Sequence, residues 1–518
     1  MKRWYLGMLA FAAILPAYAQ ETPATRGRGS AATAPATPAT TSLGTTPIPI
    51  APFMDESQAV THHEIALGNT TLKYTATTAE MPIKDLNGDT EAHMFYVAYT
   101  LDGADKAKRP VTFAFNGGPG SASMWVHIGA MGPRSPVLKD NGDMPQPPFK
   151  LKDNPNTWLD QTDLVFIDAV GTGFSRPKSV EVARRINGVQ GDIASFTEFV
   201  RNYITQNDRW GSPLFIAGES YGTFRAAGLA GSLQDQGIAV NGVTLISTIL
   251  NYGTSRGTLL NSYPYALALP TFTADAYYHK KLPADLQKDL KTTLKEVEDW
   301  AMGPYMQALN KGDTIPADER KAAVEKLARY TGLSATYCDN INLRLDTGHV
   351  TRELLRDQKL IVGRLDGRLT GPAPMNVSET ADYDPSSTLT QPPFEAAFMQ
   401  YTRGELNFKT DMKYYVSGGI MPWDYGADNS TADTTAALRN AFTKNPHLKV
   451  MVCCGYYDLA TPYFAAQYTL NHMGIHPEQQ KQISWKYYEA GHMMYIDAPS
   501  HAKLKTDITE FIKSAMPQ

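Results

Sequence analysis

Short apolar runs closed by glycine- or aspartate-rich turns recur in two stretches of the chain, residues 110–250 and 448–490. The first stretch carries "VTFAF", "DLVFID", "PLFIA" and "VTLIS"; the second carries "LKVMVCC" and "ISWKYY". Runs this short and this apolar predict strands buried on both faces. Between the second and third lies "GDIASFTEFVRNYITQ", where Ile193, Phe196, Phe199, Val200, Tyr203 and Ile204 recur at helical spacing. Strands alternating with helices imply an α/β fold: a mostly parallel central sheet with helices on both faces. Ahead of it, "HHEIALGNTTLKYTATT" and "AHMFYVAYT" read as antiparallel strands, with "DLNGDT" as their turn. The acidic residues from Asp85 to Glu91 lack the ligand spacing of a calcium loop, so a hairpin turn is the better reading.

The strand rhythm stops after Tyr252 and resumes at Leu448. Residues 255–440 are rich in helix formers, as in "PADLQKDLKTTLKEVEDW", and read as a mainly helical cap. The cap interrupts an α/β core whose parts are residues 56–254 and 441–518. At the N-terminus, Lys2 and Arg3 precede a short apolar run ending in "AYA" at Ala19. That pattern describes a secretory signal peptide over 1–19, too short to span a membrane. Residues 20–55 are dominated by Ala, Thr and Pro and read as a disordered linker. The expectation is an exported protein, periplasmic or secreted, without an integral membrane span.

Composition changes this picture little. The chain has 518 residues and a formal charge of −4, with no long basic run, which argues against a nucleic-acid partner. Three cysteines, Cys338, Cys453 and Cys454, are too few for a disulfide scaffold, so stability must come from core burial. Cys453 and Cys454, adjacent in an apolar run, read as buried thiols; whether Cys338 pairs with either stays open. No His/Glu cluster has metal-ligand spacing, and neither metal nor organic cofactor is implied.

The chemistry concentrates in a few segments. Gly218-Glu219-Ser220-Tyr221-Gly222 follows the strand run "PLFIA" and precedes a helical run, the context of a nucleophile elbow. Such an elbow needs an acid and then a histidine further along. Asp458 stands just past the run "LKVMVCC", and His492 follows "ISWKYY" into a glycine-flanked turn. The stretch "FAFNGGPGSASMW" places a Gly-Gly turn after a strand, where backbone N–H groups can approach an oxyanion.

Taken in order, "NGGPGSAS" (116–123), "VGTGFS" (170–175), "GESYG", "GYYDLATP" (455–462) and "AGHMM" (490–494) resemble the serine carboxypeptidase family of the α/β-hydrolase fold. The resemblance implies a triad of Ser220, Asp458 and His492, and an oxyanion hole from the N–H groups of Gly118 and Tyr221. It also implies that Asn116 and Glu219 recognise a substrate's terminal carboxylate. The expected substrates are therefore peptides with a free C-terminus, cleaved through an acyl-enzyme and favoured at acid pH. A serine esterase or acyltransferase of the same fold is the alternative; it would have no use for a carboxylate beside its nucleophile. Residues 362–371, "VGRLDGRLTG", resemble bacterial members and have no role at this level beyond a turn with paired charges.

Overall fold

The computed structural model describes residues 49–51, 58–426 and 430–517. The expected signal segment, 1–19, and all of the expected linker except residues 49–51 lie outside the described residues. Strands β1 (Ala59–Leu67), β2 (Thr70–Lys84) and β3 (Thr90–Leu101) form an antiparallel meander at one side of a ten-stranded sheet. The stretch "HHEIALGNTTLKYTATT" is itself a hairpin, broken at Gly68, whose φ of 59° suits the turn. Asp85 closes the next turn by accepting from the N–H groups of Asn87 and Asp89 at 2.9 and 3.0 Å.

The remaining strands are β4 (Val111–Phe115), β5 (Asp163–Ile167), β6 (Arg176–Pro177), β7 (Leu214–Glu219), β8 (Gly242–Ile246), β9 (Lys449–Gly455) and β10 (Ile483–Tyr488); all but the two-residue β6 follow the apolar runs. Their order is β1-β2-β3-β5-β4-β7-β8-β9-β10, with short β6 paired to β3. From β5 to β10 every neighbouring pair is parallel. Period-two alternation divides the core into two faces. Leu214, Ile216, Val243, Leu245, Val450 and Val452 point to one face; there they meet helices α1 (Val189–Gln206), α2 (Tyr221–Asp235) and part of Thr435–Lys444. Phe215, Ala217, Ile246, Met451 and Cys453 point to the other, under helices Pro385–Gly404 and Ala498–Ala515. Helices on both faces of a mostly parallel sheet make this an α/β-hydrolase architecture.

Between β8 and β9, residues 266–362 gather a hydrophobic cluster of their own, which also takes in Leu459. Helix Pro385–Gly404 belongs instead to the second face of the sheet, and the expected boundary at 440/441 falls inside helix Thr435–Lys444. Cys338, Cys453 and Cys454 are all buried free thiols. Among the described residues no helix is long and apolar enough to cross a membrane, and no group of three or more His, Cys, Asp or Glu is placed to hold a metal ion.

Candidate active site

Parallel register brings the C-terminal ends of four strands to one edge. Ile246 stands opposite both Glu219 and Cys453, and Gly455 stands opposite Tyr488. The loops that follow therefore converge, as ligand sites do in open α/β sheets. Ser220 donates its N–H to Ile246 O at 2.9 Å, and the next residue, Ser247, donates its hydroxyl to His492 O at 2.6 Å. Two successive residues of one strand end thus tie the serine loop to the histidine loop.

Ser220 sits between β7 and α2 with φ 61° and ψ −130°, a strained conformation for a residue with a side chain. The glycines around it are sterically required. A Cβ on Gly218 would lie 2.1 Å from Gly222 O, and one on Gly117 would lie 2.2 Å from Gly222 N and 2.4 Å from Tyr221 N. The Gly117 backbone is thereby pressed against the start of α2. Tyr221 opens that helix, so its N–H has no acceptor within the helix. Gly118 adopts φ 105°, which turns its peptide in a way open to glycine.

His492 and Asp458 are both buried, and His492 Nδ1 lies 2.8 Å from Asp458 Oδ2. The carboxylate also accepts from Ala460 N and Thr461 N, both at 2.9 Å, and from the Thr461 hydroxyl at 2.5 Å. These bonds fix the acceptor and so the ring's orientation, with Nδ1–H toward Asp458; among the described hydrogen bonds none engages Nε2. Burial pushes the imidazole pKa down, but the charge and hydrogen bond of Asp458 outweigh it, and the net shift is upward. Among the described hydrogen bonds none joins Ser220 to His492. Contacts of this kind commonly tighten only when substrate binds.

Glu219, at the end of β7, is 3% exposed. Asn116 Nδ2 donates to its Oε1 at 2.9 Å. Val126 N donates to Asn116 Oδ1 at 3.0 Å, which settles the amide's orientation. Burial raises the Glu219 carboxyl to about 7, partly offset by His492 and by hydrogen-bonding neighbours. Tyr495 OH faces the same carboxyl, and among the described hydrogen bonds none engages Glu219 Oε2 or Tyr495 OH. In its neutral form, with Oε1 accepting from Asn116, Glu219 carries its proton on Oε2, beside Tyr495.

The whole set of sequence-derived candidates (Asn116, Gly118, Glu219, Ser220, Tyr221, Asp458 and His492) falls at this one edge. Tyr495, Thr461 and Ser247 were not singled out by the sequence; nothing in their local pattern marks them. The same holds for Arg225, buried on α2, which donates to Asn116 O at 2.5 Å and pairs with Asp192 at 2.8 Å. Its guanidinium lies over the rings of Phe196 and Phe115. Replacing Arg225 by methionine strands the Asp192 carboxyl in the core. It is expected to cost about 3–5 kcal/mol of stability, read from the urea unfolding midpoint. A double replacement, Arg225→Met with Asp192→Leu, should recover much of that loss.

The family model described as "Serine carboxypeptidase" matches residues 84–362, more than half of the chain. Carboxypeptidase Y homolog of Arthroderma benhamiae is 33% identical over 147 residues, 27% of this chain and 27% of that protein. Carboxypeptidase Y of Saccharomyces cerevisiae is 31% identical over 136 residues, 26% of this chain and 23% of that protein. Serine carboxypeptidase-like 36 of Arabidopsis thaliana is 33% identical over 117 residues, 22% of each chain. The matched stretch spans about a quarter of the length of these curated relatives. By the extent of the family match, the chain belongs to the serine carboxypeptidase family.

Proposed function

We propose that this protein is a serine-type carboxypeptidase, releasing residues from the free C-termini of peptides through an acyl-enzyme. The observation that carries the reading is the buried Asn116–Glu219 pair beside Ser220, with Glu219 raised to about 7. The substrate's terminal carboxylate takes hydrogen bonds from Glu219 Oε2–H and from the second N–H of Asn116. Two carboxyl groups in one dry pocket do not both ionise, so the pair holds one proton between them. That grip places the last peptide bond at Ser220.

Ser220 Oγ then attacks the scissile carbonyl as His492 Nε2 removes its proton. The N–H groups of Gly118 and Tyr221 stabilise the oxyanion. His492 returns the proton to the departing amino group, and the C-terminal residue leaves. Water, deprotonated by the same imidazole, hydrolyses the acyl-enzyme. Asp458 holds the ring and stabilises its charged form. Residues 266–362, the separately clustered part of the insertion, form the side of the site where side-chain preference is set. In keeping with residues 1–19, the enzyme works outside the cytoplasm, in the periplasm or secreted.

Hydrolysis of an N-blocked dipeptide and of its C-terminal amide, compared at pH 5, tests the reading. The free acid is expected to be cleaved at least tenfold faster by kcat/KM. Equal rates, or fast turnover of simple esters with no peptide cleavage, would favour the esterase alternative.

A further inference from the structure

The turn-rich segment 362–371 has no part in the chemistry above, yet it docks directly on the triad loops. Leu365 O accepts from His492 N at 2.6 Å, and Asp366 Oδ2 accepts from Gly491 N at 3.2 Å. Arg368 grips Asp366 through Nε at 2.9 Å and Nη2 at 2.7 Å. Its Nη1 reaches across to Glu489 O at 2.7 Å and to Asp497 Oδ1 at 3.0 Å. On the acid's side of the triad, Gly367 N donates to Tyr457 O at 2.9 Å. One short segment therefore holds the backbone immediately before Asp458 and on both sides of Gly491.

The fit leaves no slack. A Cβ on Gly491 would lie 2.5 Å from Asp366 Cβ and from Leu365 O. Behind the segment, a Cβ on Gly367 would lie 2.0 Å from Asp275 Oδ1, on helix Tyr263–Tyr278 of the insertion. Asp366 is 1% exposed and Asp275 is fully buried. A buried ion pair of this kind is a weak source of net stability, since desolvation offsets most of the Coulomb gain. Its planar, multiply bonded geometry is suited to fixing positions instead.

We infer that Asp366 and Arg368 are positioning residues for the triad, setting His492 against Asp458 and Ser220 from within the inserted region. The inference rests on the proposed triad and deepens it. A histidine loop freed from this brace keeps its residues but loses their alignment, and misplacement by about 1 Å costs about 10²-fold in rate. The larger loss falls on acylation, because Asn116 and Glu219 lie on other elements and keep their own hydrogen bond.

The test uses the full chain, with a fluorophosphonate probe that reports acylation of Ser220 without peptide binding, beside peptide kinetics. Arg368→Ala is expected to slow labelling and kcat by about 10²-fold, with KM within about twofold of wild type. Arg368 lines a surface cavity of about 720 Å³, so guanidinium ion added at sub-denaturing concentration can reach the vacated site. It is expected to restore part of the labelling rate in Arg368→Ala and none in wild type. Should Arg368→Ala fail to fold, Arg368→Lys, which keeps the charge but not the fork, is expected to lose about tenfold in labelling. Wild-type labelling rates in a folded Arg368→Ala or Arg368→Lys overturn the inference while leaving the triad in place. Loss of labelling with no guanidinium rescue and an equal rise in KM also overturns it, as a general structural defect. If wild type itself is not labelled at Ser220, the triad reading falls and the brace falls with it.

Discussion

Ser220→Ala is expected to lower kcat/KM on free-acid peptides by roughly 10³-fold or more, with a cooperative unfolding transition unchanged in midpoint. The two halves of this expectation have separate grounds. In the proposed mechanism activity falls because Ser220 Oγ is the attacking atom. Stability holds because the bonds of Ser220 run through its backbone: its N–H to Ile246 O, and its carbonyl from Thr223 N at 2.8 Å. Alanine keeps both and meets the same strain at positive φ. His492→Ala should be about as damaging, and the double variant scarcely worse, since nucleophile and base act as one unit. Near-wild-type turnover in a well-folded Ser220→Ala would remove the serine mechanism altogether.

The sheet and the candidate triad's positions were legible for the same reason. Buried parallel strands need unbroken apolar runs, and each run ends where the chain must turn at the catalytic edge. "PLFIA" leads into Gly218–Gly222 and "LKVMVCC" into Asp458, so strand ends and chemistry coincide in sequence. The first hairpin turns on Gly68-Asn69, a two-residue turn signal that is passed over when the whole stretch is read as one strand. The extent of the insertion was also blurred. Helix Pro385–Gly404 carries Pro392 and Pro393 in its interior and packs Phe394, Ala397 and Phe398 onto the sheet. Only long-range packing decides that, and periodicity cannot report it.

The supporting groups of the site were the least legible. Tyr495 meets Glu219 across 276 residues of sequence, and Arg368 meets the histidine loop across more than 120. Neither has a local signature. Tyr495 follows the quoted "AGHMM" by one position, yet its neighbourhood reads as an apolar helix start. The "LDGR" charges in 362–371 were visible as a pair, but their partners Glu489, Gly491 and Asp497 are fixed only once β10 is in place.

Glu219 carries the second large effect, in the pH dependence. The carboxyl is neutral below its raised value of about 7 and ionised above it. Under the proposed reading a terminal carboxylate binds the neutral form, so Glu219 sets the alkaline limb of kcat/KM on free-acid peptides. That ratio should fall about tenfold per pH unit once pH passes roughly 7. The acid limb has the opposite sign: His492 must be neutral to act as base, and its upward shift moves that limb above the ordinary histidine value. Because Glu219 and His492 interact, the two limbs belong to the pair, and an incoming carboxylate draws the shared proton onto Glu219 and leaves the imidazole free. Glu219→Gln keeps a hydrogen-bond donor that cannot ionise. It should flatten the alkaline fall, leaving the variant the faster enzyme above about pH 8 on free acids. C-terminal amides bring no second carboxylate, so their profile should lack the alkaline limb in both proteins and report mainly His492. The measurement is a set of four pH–rate profiles, free acid and amide on wild type and Glu219→Gln. If all four share one alkaline limb, Glu219 does not read the substrate's carboxylate, and the esterase reading takes precedence.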